Sequence, residues 1–150
     1  MNPETLAIHL IRPDTGGDET LLTGDDRLRA DSFRFETDRL RWIACRAGLR
    51  RILAAATGMD PADLPLVSNP YGKPLLAPPF DSLHFNLSHS GDLAVVAVSR
   101  DGPVGIDIEP LDRASELTEV VEGFCHPLEA AELPCGPGRD LHLLEIWTAK

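Results

Sequence analysis

Residues 83–109 read LHFNLSHSGDLAVVAVSRDGPVGIDIE, and the punctuation of this stretch decides the fold class. The turn signals SHSGD and RDGP divide it into three β-favouring runs, Leu83 to Leu87, Leu93 to Ser99 and Val104 to Glu109. Short turns between consecutive strands favour an antiparallel meander. In the last run Ile106 and Ile108 fall on one face and Asp107 and Glu109 on the other, with the two acids about 7 Å apart by Cα. Neighbouring carboxylates repel unless a cation or a proton lies between them, and Mg²⁺ is commonly held by one or two carboxylates with water and phosphate oxygens. The same alternation also occurs on solvated strands with no site.

Upstream, Leu6, Ile8 and Leu10 alternate within residues 5–12, the pattern of a half-buried strand. A polar stretch from Asp14 to Asp26 reads as a loop. From Glu36 to Thr57 the chain is rich in Arg, Leu and Ala and closes at Gly58, which predicts a long helix. On that helix Arg39, Arg46 and Arg50 lie within about 40° of one another, a stripe that is either a solvated face or an anion site. Residues 60–79 form an irregular connection containing GKP at Gly72–Pro74, and Lys73 is a solvated loop lysine or a ligand group. Beyond Pro110, helical segments are expected at Ala114 to Glu122, Pro127 to Leu133 and Arg139 to Lys150. In the last, Leu141, Leu144 and Trp147 share a face with Leu143 and Ile146 alongside. With no capping residue after it, this segment predicts a protein that continues beyond Lys150.

At 150 residues, with 43% hydrophobic and 25% charged content, the chain has the composition of an ordinary globular domain. A net charge of −10 argues against non-specific nucleic-acid binding but leaves room for a phosphorylated ligand at a local cluster. Lys73 and Lys150 are the only lysines among fourteen basic residues. Cys45, Cys125 and Cys135 have no metal-site spacing and are expected to be buried thiols. No signal-peptide pattern or membrane-length apolar run is present, so a cytoplasmic protein is expected.

Ser88, His89 and Ser90 fall at a turn, where they either cap it or face a ligand. Taken together, the ordered series GKP, FNLSHSGD, VGIDIE, Phe124-x-x-x-x-Glu129 and WTAK resembles the signature of surfactin-synthetase-type 4'-phosphopantetheinyl transferases over roughly residues 35–150. The resemblance implies an α+β fold of two similar halves. Residues 1–103 would be the N-terminal half, antiparallel strands packed on a long helix, and 104–150 the start of the C-terminal half. It implies transfer of phosphopantetheine from coenzyme A to a serine of an acyl or peptidyl carrier protein, with Mg²⁺ on Asp107 and Glu109 and release of 3',5'-ADP. Lys73, Ser88 and His89 would contact the coenzyme phosphates, and Arg50, with Arg46, its adenosine phosphate end. His89 and Lys150 would join the two acids as catalytic residues, in a protein that is a monomer when complete and has no nucleic-acid or membrane partner. In the resembled family the last motif runs on to a glutamate after the lysine, a third metal-side carboxylate; this chain stops at Lys150. Glu145 sits too early on its helix to take that role, and no role for Glu129 follows from the sequence. The alternative is a shortened relative that binds coenzyme A or a carrier protein without turnover.

Overall fold

A computed structural model describes residues 5–13 and 16–150. It divides into two compact units. The first comprises the chain through Ser88 together with Asp92–Ile106, and the second comprises His89–Gly91 and Asp107–Lys150.

In the first unit, strands β1 (Leu6–Ile11), β4 (His84–Ser90) and β5 (Leu93–Ser99) form one sheet in the order β1-β5-β4. Helices α1 (Gly24–Asp31) and α2 (Glu36–Thr57) precede a small hairpin of β2 (Leu66–Ser68) and β3 (Pro74–Leu76). β1 runs antiparallel to β5, from Leu6 opposite Ser99 to Ile11 opposite Ala94. The two-residue link Gly91–Asp92, with Gly91 at φ +55°, turns β4 back into β5. Leu49, Leu53 and Ala54 of α2 pack against Val96 and Val98 of β5 and Phe85 of β4 to form the core. The predicted helix matches α2, and Gly58 ends it in the left-handed region (φ +78°), its N–H bonded to Ala54 O at 2.8 Å.

Several expectations change. The VGIDIE segment belongs to no strand. The meander stops at β5, and in place of a ladder the Asn86 side-chain oxygen accepts a hydrogen bond from Ile106 N–H at 3.0 Å. β1 does not bury the face its pattern suggests: Leu6, Ile8 and Leu10 are 50%, 64% and 63% exposed, while Ala7 and Ile11 on the other face are half-buried. Ile11 instead lies so close to Gly48 of α2 that a Cβ there would come within 2.8 Å of its side chain. The expected loop from Asp14 holds a 3₁₀ turn at Glu19–Leu21 and the start of α1; Asp14 and Thr15 lie outside the described residues. Cys135 is exposed, whereas Cys45 and Cys125 are buried.

In the second unit, two 3₁₀ turns (Leu111–Arg113 and Thr118–Val120) alternate with short helices α3 (Ala114–Leu117) and α4 (Val121–Phe124). α5 (Pro127–Glu132) and α6 (Arg139–Ala149) follow. Leu143 and Leu144 of α6 pack with Ala114, Leu117, Cys125 and Leu133 in a separate core. Leu141, expected on the inner face, is half exposed. No helix among the described residues is long and apolar enough to cross a membrane.

Candidate active site

The arginine stripe of α2 meets an anion supplied by the chain itself. Arg50 is fully buried, and its guanidinium donates from Nε and Nη2 to Asp26 Oδ2 at 3.1 and 2.8 Å and from Nη1 to Pro61 O at 3.1 Å. Arg46 Nε donates to Asp26 Oδ1 at 2.7 Å. Arg39 reaches Glu19, Asp31 and Glu36. The stripe therefore docks α1 and its preceding turn onto α2, with the Arg50 and Arg46 donors directed to carboxylate and carbonyl oxygens. Burial alone would raise the Asp26 pKa, but the Arg46 charge, the Thr23 amide and hydrogen bonds from Arg50 and Arg46 outweigh it and hold the carboxyl below its ordinary value. Among the described residues no buried side-chain polar atom lacks a partner.

Asp26 also builds the helix it sits on. Thr23 Oγ1 accepts from Asp26 N–H, and the Asp26 carboxylate accepts from Thr23 N–H, both at 3.2 Å, a reciprocal capping box. The Thr23-x-x-Asp26 spacing was the sequence signal for α1 that hydrophobic periodicity does not carry.

In the second unit Asp107 and Glu109 line a cavity of about 330 Å³, with Leu141, Leu144, Glu145 and Thr148 of α6 contributing to its wall. Glu109 is held firmly. Trp147 donates its indole N–H to Glu109 Oε1 at 2.9 Å, and Arg113 Nη1 donates to the same oxygen. The Arg113 guanidinium lies 5.0 Å over the Trp147 ring, and Phe124 meets that ring edge-on at 5.1 Å. Neither Trp147 nor Arg113 was singled out as a Glu109 partner by sequence reasoning: the Trp147 contact spans 38 residues and leaves no local periodicity, and Arg113, four residues on, lies beyond a segment read as a strand, where that spacing carries no contact. Glu145, set aside on helix spacing, lies on the same cavity wall and pairs with His142 at 3.3 Å.

Among the described residues no group of three or more potential ligands stands close enough to hold a metal ion. Two hard carboxylate donors beside an open cavity fit Mg²⁺, which leaves most of its octahedron to water and substrate oxygens. Lys73 is exposed on the β2–β3 turn, where Asn69 Oδ1 accepts from the N–H groups of Tyr71 and Lys73 at 2.9 Å each. Ser88, half-buried, and His89, exposed, end β4.

Residues 18–101 match the family model described as 4'-phosphopantetheinyl transferase, N-terminal, and residues 103–150 match the 4'-phosphopantetheinyl transferase superfamily. The chain belongs to this superfamily. The chain is 35% identical over 133 residues to 4'-phosphopantetheinyl transferase HetI of Nostoc sp., covering 86% of its own length and 56% of that relative. It is 31% identical over 130 residues to the 4'-phosphopantetheinyl transferase of Bacillus subtilis, covering 84% of its own length and 56% of that relative. With the gsp transferase of Aneurinibacillus migulanus it shares 35% over 105 residues, 68% of this chain and 41% of the other. The chain thus spans about half the length of the relatives it matches.

Within the chain the last motif is tied to the one before it. Lys150 Nζ donates to Glu129 Oε2 at 2.7 Å and to Phe124 O at 2.9 Å.

Proposed function

We propose that the protein carries the 4'-phosphopantetheine arm of coenzyme A to a serine hydroxyl of an acyl or peptidyl carrier protein, in a Mg²⁺-dependent reaction that releases 3',5'-ADP. The observation that carries this reading is the placement of Asp107 and Glu109 on one cavity wall within a chain of this superfamily. In it the serine oxygen forms a bond to the β-phosphorus as the bond to 3',5'-ADP breaks and the serine proton is released. Asp107 and Glu109 would hold Mg²⁺, which when bound would supply positive charge to the phosphoryl group being transferred.

The chain's own residues bind and orient. Trp147 and Arg113 keep the Glu109 carboxylate in one rotamer. Lys73, Ser88 and His89 supply an ammonium, a hydroxyl and an imidazole to phosphate oxygens. Lys150, the cation at the end of α6, joins Asp107, Glu109 and His89 as a catalytic residue in this reading. Arg50, with Arg46, is assigned to the adenosine phosphate end, and Asp26 shares both guanidinium groups. The same reading takes residues 1–103 as the first half of a two-half transferase fold and 104–150 as the start of the second, in a cytoplasmic monomer.

The test is to incubate the protein with apo carrier protein, coenzyme A and Mg²⁺ and to weigh the carrier. A gain of one phosphopantetheine arm is expected, abolished by Asp107→Ala or by chelation. A carrier of unchanged mass beside clear calorimetric binding of coenzyme A would establish the non-catalytic alternative. Full activity in Asp107→Ala would remove the metal assignment.

A further inference from the structure

Glu129 makes two bonds with one carboxylate. Its side chain accepts from His126 N–H at 2.7 Å, closing the capping box of α5, and Oε2 takes the Lys150 ammonium. Hydrogen bonding from Lys150, followed by the His126 amide, holds its pKa below the ordinary value. The residue that gives Lys150 its second acceptor, Phe124, also sets its ring against Trp147, with centroids 5.1 Å apart and planes at 88°. Trp147 and Lys150 are three residues apart at the end of α6 and so share a helix face. Gripping both fixes the rotation of the last turn. The indole direction follows from that rotation, and the indole N–H ends on Glu109 Oε1.

We propose that Glu129 is a positioning residue for the Glu109 carboxylate: with Phe124 it seats Lys150 and Trp147 so that the indole N–H holds Glu109 at the cavity wall. The two motifs that lie farthest along the chain thus form a support for the acidic pair. The consequence for metal affinity rests on the proposed role of Glu109 as a Mg²⁺ ligand; the positional claim does not.

The experiment follows the two indole N–H resonances of ¹⁵N-labelled protein, assigned with Trp42→Phe. Glu129→Gln should shift the Trp147 resonance and raise its hydrogen exchange about 10-fold, as expected when a local anchor opens. Lys150→Met should do the same, and because it leaves the α5 capping box intact it separates the clasp from simple loss of a cap. It also carries the test if Glu129→Gln does not fold. Thr118→Ala, which removes the 3.0 Å bond from Thr118 Oγ1 to Asp140 at the other end of α6, should leave the resonance in place. An unmoved indole in Lys150→Met, or an equal shift in Thr118→Ala, overturns the proposal. In the transfer assay Glu129→Gln should weaken apparent Mg²⁺ affinity about 10-fold, the usual scale for supporting residues of a metal site, with KM for coenzyme A unchanged. Mg²⁺ titration of the unsubstituted protein tests the metal reading separately. An indole that responds to Glu129→Gln and not to Mg²⁺ removes the metal role of Glu109 and leaves the clasp standing.

Discussion

Asp26 takes charge from two guanidinium groups and an amide at once, so its loss is costly in a specific way. Removing one member of a buried ion pair strands the other, at about 3–5 kcal/mol. Asp26→Ala should therefore lower the unfolding free energy read from urea titration by that scale, while Asp26→Leu combined with Arg46→Met and Arg50→Met should recover much of the loss, because an apolar cluster of matching volume needs no counter-charge. Acid should act on the same group. The folded pKa of Asp26 lies below its unfolded value of about 3.9. The unfolded chain binds the proton first as pH falls, so the contribution is fully present above about pH 4 and is lost as pH drops through the depressed value. Urea midpoints measured from pH 7 to pH 3 should fall more steeply in the parent protein than in the Asp26→Leu/Arg46→Met/Arg50→Met variant.

At the scale of elements, caps and close approaches decide what periodicity does not. Thr23→Ala should cost about 1 kcal/mol by removing one half of the α1 capping box, read as a shift of the thermal midpoint. Gly17→Ala should cost more. A Cβ there would stand 2.6 Å from the Ala44 backbone nitrogen of α2, closer than side chains can approach without displacing backbone, and overpacking of this kind costs about 1–3 kcal/mol. α2 was legible in the sequence from start to stop, since propensity, a closing glycine and an apolar circumference all agree. α1 was not, because its signal is a four-residue hydrogen-bond pattern inside an acidic stretch. VGIDIE has the alternation of a strand but no ladder partner, and the single Asn86 bond that pins it has no signature in local pattern. The acidic pair was legible through motif order. Its support by Trp147 and Glu129 was not, since those contacts depend on how separate helices pack.

For the whole molecule, charge sets the sensitivity to conditions. A chain of net charge −10 concentrates divalent cations near its surface, and this attraction is screened as the Debye length shrinks from about 30 Å at 0.01 M to about 8 Å at 0.15 M salt. Apparent Mg²⁺ affinity, measured by titration of the Trp147 resonance, should therefore weaken several-fold across that range. A salt-independent value would place the binding site outside the acidic field.

The uneven burial of the three thiols has a practical side. Cys135 stands in solvent, whereas Cys45 is enclosed and its pKa is raised by burial and Cys125 lies within the second core. A maleimide dye near neutral pH should attach once, at Cys135, without engineering. The turn that leads into α6 thereby becomes a ready attachment point for a fluorescent reporter on the helix that carries Trp147.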